Sequence, residues 1–68
     1  MLYYLVHRFG PGDELRFRKE EFATVPEAII KASNLFSEGG DFVIEDDNGK
    51  IITNDQQIRN YCKVMGMP

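Results

Sequence analysis

The sequence is poor in the groups that usually staple a small protein together. It has one cysteine, Cys62, and one histidine, His7. A lone cysteine forms no internal disulfide, and one His with one Cys falls short of the ligand count of a zinc site within one chain. Tryptophan is absent. The longest apolar run is Leu2 to Val6, far short of the roughly 20 residues that span a bilayer. His7 and Arg8 follow that run at once, so no signal peptide is expected. Positive charge is also scarce: eight Lys and Arg stand against eleven Asp and Glu, for a net charge of −3. The broad positive field that drives nucleic-acid binding is therefore missing, and no polybasic segment suits an anionic membrane surface.

What is present is ordinary globular composition. The chain has 68 residues, 43% hydrophobic and 28% charged, which argues against wholesale disorder and fits a single domain over residues 1–68. A domain this small buries only about 60% of its unfolded surface, so its stability is marginal. Charge is uneven along it. Residues 1–22 balance Arg8, Arg16, Arg18 and Lys19 against Asp13, Glu14, Glu20 and Glu21. Residues 23–52 set only Lys31 and Lys50 against Glu27, Glu38, Asp41, Glu45, Asp46 and Asp47.

Residues 2–9 are rich in aromatic and β-branched side chains and predict a strand. Alternation puts Leu2, Tyr4, Val6 and Arg8 on one face and Tyr3, Leu5, His7 and Phe9 on the other. Both faces are largely apolar, as in a central strand. Gly10-Pro11-Gly12-Asp13 is turn punctuation, and Leu15–Phe22 predicts a second strand. Phe22 is out of phase with Phe17, which implies a bulge near Lys19–Glu21 or the end of the sheet. Thr24-Val25-Pro26-Glu27 fits a capping box with Pro in the first turn. Val25, Ala28, Ile29, Ala32, Leu35 and Phe36 then recur at helical spacing, predicting a helix over about residues 24–38 that stops at Gly39. Asn48-Gly49 between Asp41–Asp46 and Lys50–Thr53 predicts a hairpin with a type I′ turn and Asp47 opposite Lys50. Thr53 or Asn54 caps a last helix with Gln56 or Gln57 as its partner. Its stripe is Ile58, Tyr61, Cys62 and Met65, it ends at Gly66, and Met67-Pro68 is expected to fray. The order is β-β-α-β-β-α. It defines an α+β fold with a small antiparallel or mixed four-stranded sheet and two helices mainly on one face.

Chemistry is thin. A Cys62–His7 nucleophile pair needs an activated thiolate and a third orienting group. Cys62 on the apolar stripe of a short helix reads more simply as core. The run Glu45-Asp46-Asp47-Asn48 fails the EF-hand spacing: counted from Asp46, Gly49 comes at the fourth position and Gln57 at the twelfth, where the loop needs Gly sixth and Glu last. The glycines lead into no helix and carry no phosphate motif. No catalytic residue, cofactor or metal ligand is therefore assigned.

Two binding features remain. The aromatic residues of the first strand face both ways, while two helices cover only one face. An uncovered aromatic patch marks a protein-binding site or a homodimer seam; the plainer alternative is that long side chains cover it. The expected surface is Tyr3, Tyr4, His7, Arg8, Phe9, Arg16 and Arg18. A second reading places Arg8, Arg16, Arg18 and Lys19 around a single-stranded nucleic acid or another anionic ligand. The expectation is a small, soluble, cytoplasmic, non-catalytic interaction module that self-associates or binds another protein through its first hairpin. The α+β layout is shared by many unrelated modules and assigns no function by itself.

Overall fold

A computed structural model describes residues 1–10 and 16–67. The Pro11-Gly12-Asp13 part of the first turn and Leu15 of the second strand lie outside the described residues, as does Pro68. The elements run β1 (Tyr3–Phe9), β2 (Arg16–Phe22), α1 (Val25–Leu35), β3 (Asp41–Glu45), β4 (Ile51–Thr53) and α2 (Asp55–Val64). This is the expected β-β-α-β-β-α order. All strand pairs are antiparallel, and the sheet order is β2-β1-β3-β4. β1 is thus central, as its two apolar faces imply. Leu5 stands opposite Ile44 and His7 opposite Phe42, and these inward side chains meet both helices. Leu5, Phe42 and Ile44 pack with Ala28, Ile29 and Ala32 of α1 and with Ile58 and Cys62 of α2.

Local signals fix the helix ends. The Thr24 hydroxyl accepts from the Glu27 N–H at 3.4 Å, and Ala28 and Ala32 are fully buried against the sheet. Beyond Leu35 the helix tightens into a 3₁₀ turn at Phe36–Glu38, a common way to finish an α-helix. α2 carries the complete capping box: Gln57 N–H donates to Asn54 Oδ1 and Asn54 N–H to Gln57 Oε1, both at 2.9 Å. At its far end Met67 N–H donates to Cys62 O at 2.8 Å and Gly66 N–H to Lys63 O at 3.3 Å. That is a Schellman cap with Gly66 in the left-handed region. Met67 packs against the core rather than fraying.

The link from α1 to β3 is a fastened corner. Gly39 has φ 78 and ψ −172, a region open almost only to glycine. Gly40 has φ 83, and a Cβ there would lie 2.1 Å from the carbonyl oxygen of Arg8. His7 Nε2 is 2.8 Å from Gly39 O. Because a carbonyl only accepts, Nε2 carries the proton and donates. Arg59 donates to Gly40 O at 3.2 Å and to Asp55 at 2.8 Å, with its guanidinium 4.6 Å from the Phe36 ring centroid. Asp55 in turn accepts from the Phe42 N–H at 2.9 Å.

One turn differs from expectation. At Asn48-Gly49 only Gly49 has positive φ; no described non-glycine residue does. The type I′ turn is therefore replaced by a three-residue loop between Asp46 and Lys50, whose backbones bond at 2.9 Å. The cause is Asp46: its carboxylate accepts from the Asn48 and Lys50 N–H groups, each at 2.9 Å, which stabilises a type I turn followed by a left-handed glycine. Asp46, not Asp47, stands across from Lys50, and a register shift follows at Ile44/Glu45. In the first hairpin the pairing runs without a shift from Tyr3↔Phe22 to Phe9↔Arg16. No bulge is needed, because the strand ends at Phe22. Phe22 turns inward onto the core, and Phe17 points away from it, 70% exposed.

Replacing Gly40 by alanine forces both the left-handed strain and the clash with Arg8. It should lower stability in urea unfolding by at least about 2 kcal/mol, whereas Gly49→Ala, with open space around it, should cost about 1 kcal/mol. Equal midpoints for the two variants would contradict the close approach at the corner.

Candidate binding site on the first hairpin

The register arranges the helix-free face in rows. Phe17, Arg8 and Asp41 form one, Lys19, Val6 and Val43 the next, and Glu21, Tyr4 and Glu45 the third. Val6 and Val43 are only 8% and 7% exposed although no helix lies over them. Their cover comes from the flanking rows. Arg8 grips Asp41 through two hydrogen bonds, at 3.0 and 2.8 Å. Lys19 reaches Glu45 at 3.3 Å, with its ammonium 5.0 Å from the Tyr4 ring centroid. Such exposed ion pairs add little stability themselves, but long side chains of this kind shield apolar neighbours with their aliphatic stems. The apolar centre of β1 is thus buried within the chain itself, and of this face only the rim is open. Exposed apolar area remains at the sheet margins, on Phe17 and Ile51.

The seven expected surface residues do not form one surface. Tyr4 and Arg8 lie on the helix-free face; Tyr3, His7, Phe9, Arg16 and Arg18 lie on the helix side, Arg16 opposite Phe9 and Arg18 opposite His7. Arg8 therefore does not share a face with Arg16 and Arg18. His7 is 1% exposed, its ring stacked on Phe42 at 4.3 Å and tilted against Phe9 at 4.8 Å. It is a core residue, because its Nε2–H finds the Gly39 carbonyl. Three of the four hairpin cations already face carboxylates: Arg8 with Asp41, Lys19 with Glu45, and Arg18 with Glu38 at 3.9 Å. Arg18 also lies 5.2 Å from the Phe9 ring centroid. The cations point to both sides of the sheet rather than converging on one ligand.

Between β2 and α1 lies a shallow cleft of about 90 Å³ lined by Leu5, His7, Arg18, Glu20, Lys31 and Leu35. His7 Nδ1 is buried without a hydrogen-bond partner. Cys62 is 2% exposed, and burial pushes its thiol above the ordinary range, the nearby Arg59 charge opposing this more weakly. A thiol held in that form is a poor nucleophile. Among the described residues no three His, Cys, Asp or Glu side chains gather where they would hold a metal ion, and no helix is long and apolar enough to cross a membrane.

The feature absent from the expected surface is the outer edge of β2. Arg16 through Glu21 are all exposed, and β2 is an outer strand of the sheet, paired among the described residues only with β1. Its backbone therefore offers a row of N–H and C=O groups on the outer side. Glu20, on the same face as Arg18, belongs to this edge and was not among the expected residues. The signal was in the sequence as basic residues at 16, 18 and 19 followed by acidic ones at 20 and 21, but its meaning depends on strand order. Comparison with known proteins finds no family model, no curated protein and no solved structure that matches the chain.

The buried thiol has a pH consequence. Its pKa is raised on folding, so the unfolded chain releases the proton first. The stability that Cys62 contributes is complete below the ordinary thiol range and falls as pH climbs through it. In urea titrations the wild type should lose stability toward alkaline pH more steeply than Cys62→Ala; parallel pH profiles would contradict this.

Proposed function

We propose that the chain is a non-catalytic protein-interaction module that takes up an extended strand along the outer edge of β2. The observation that carries this reading is the edge itself: seven residues long and exposed from Arg16 to Glu21. By contrast, β4 at the opposite margin has three residues. Strand addition supplies affinity through main-chain hydrogen bonds and specificity through alternate side chains. Here those side chains are Arg16, Arg18 and Glu20 on the helix side, with Phe17, Lys19 and Glu21 on the other. Phe17 is the apolar anchor of the edge. A free, buried thiol suits a reducing compartment such as the cytoplasm.

The test is selection of extended heptapeptides from a random display library against the isotopically labelled protein, with each binder mapped by its backbone amide shifts. Binders should perturb the β2 amides first and leave α2 unmoved, and Phe17→Ala should weaken them about tenfold, as expected for an exposed aromatic that becomes buried. Binders that map elsewhere, or a selection that yields none, would overturn the reading.

A further inference from the structure

We propose that the strand received at this edge is β2 of a second copy, antiparallel to the first, with Lys19 of one copy opposite Lys19 of the other. The inference rests on the edge reading above and names its partner.

The argument is one of charge and register. Along β2 the order is Arg16, Phe17, Arg18, Lys19, Glu20, Glu21, Phe22, basic in the first half and acidic in the second. An antiparallel neighbour of the same sequence reverses that order, so each basic half meets an acidic half. A two-fold axis perpendicular to the sheet keeps the same face up in both copies. Residues directly opposite across the seam must then share a face, which allows only registers centred on a residue.

Centring on Lys19 overlaps all seven residues of the strand. It sets Arg18 against Glu20 of the second copy twice over, Phe17 against Glu21, and Arg16 against Phe22. Opposite charges in directly facing positions stabilise a strand pair, and like charges destabilise it. The one like-charge pair in this register is Lys19 with its own copy, and each Lys19 is already met by Glu45 of its own chain at 3.3 Å. Centring on Arg18 or on Glu20 also leaves one like-charge pair, beside two opposite-charge pairs (Arg16 with Glu20, or Lys19 with Glu21), but either register shortens the overlap, because the strand runs only from Arg16 to Phe22. The Lys19-centred register is the one that uses the whole edge.

Arg18 and Glu20 are both exposed in the single chain, so exchanging their charges leaves the core intact. The experiment is sedimentation equilibrium over a wide range of chain concentration on the full chain, on Arg18→Glu, on Glu20→Arg, on their equimolar mixture, and on the double variant. The wild type should dimerise. Each single variant should associate at least about tenfold more weakly, because two attractive pairs become repulsive. The mixture should recover the wild-type constant. In it the glutamate introduced at position 18 of one chain faces the arginine introduced at position 20 of the other, while the remaining pair stays native. The double variant should also match the wild type. Recovery on mixing excludes misfolding as the cause of the single-variant loss. A wild type that stays monomeric throughout, a single variant that dimerises normally, or a mixture no better than its components would each overturn the proposal. A monomeric wild type whose β2 amides still answer to selected peptides would leave the edge reading standing and remove only the second copy as its partner.

Discussion

Everything in this fold is referred to the corner at Gly39-Gly40, where the end of α1 is pinned to the centre of the sheet. Two carbonyls just past the helix end are each given a side-chain donor: Gly39 O by His7 Nε2 and Gly40 O by Arg59. The backbone of Gly40 presses on the Arg8 carbonyl too closely for any Cβ. The same clamp reaches α2, because Arg59 also binds Asp55, and Asp55 holds the Phe42 amide. One corner therefore fixes how both helices sit on β1 and β3. A chain whose single cysteine can form no internal disulfide gains tertiary fastening there.

That fastening decides where interaction surface is left. With both helices committed to one face, the centre of the other is nonetheless closed: Val6 and Val43 are buried there, between the Arg8–Asp41 and Lys19–Glu45 pairs. On the sheet, exposed apolar side chains are left toward its margins, at Leu2, Phe17, Ile51 and Ile52. β2 runs the full length of β1 with no neighbouring strand among the described residues on its outer side, and Arg18 and Glu20 line the cleft between it and α1. An edge strand with charged side chains on its inner face is a common guard against indiscriminate pairing. Here the guard is ordered, basic from Arg16 to Lys19 and acidic at Glu20 and Glu21, and that order is what the proposed self-pairing rests on.

Much of this was legible in the residues, and what was not shares a physical cause. Features set by a few neighbouring residues read directly: the Thr24 cap, though without the return bond from Glu27, a cap at Thr53 or Asn54 that the structure assigns to Asn54, the stops at Gly39 and Gly66, and the stripe of Ala28, Ile29 and Ala32; the two apolar faces of β1 left open a central strand or one with a partner on each face. Features set by partners distant in sequence did not. Whether Arg8 sides with Arg16 and Arg18 depends on the offset between β1 and β2. Whether β2 is an edge depends on where β3 inserts. His7 reads as a surface candidate until Gly39, 32 residues away, supplies its acceptor. The Asn48-Gly49 turn falls between these cases: its place is local, but its type was decided by the Asp46 carboxylate capturing two amides.

The measurement that bears most directly on the corner is the nitrogen-15 spectrum of the His7 ring at mildly alkaline pH. If the imidazole clamps the Gly39 carbonyl, Nε2 is the protonated nitrogen, its proton is protected from exchange with water, and a coupling crosses the hydrogen bond to Gly39. An Nε2 that is unprotonated, or a ring proton that exchanges at the rate of a free histidine, would show that the helical layer is held to the sheet by something else.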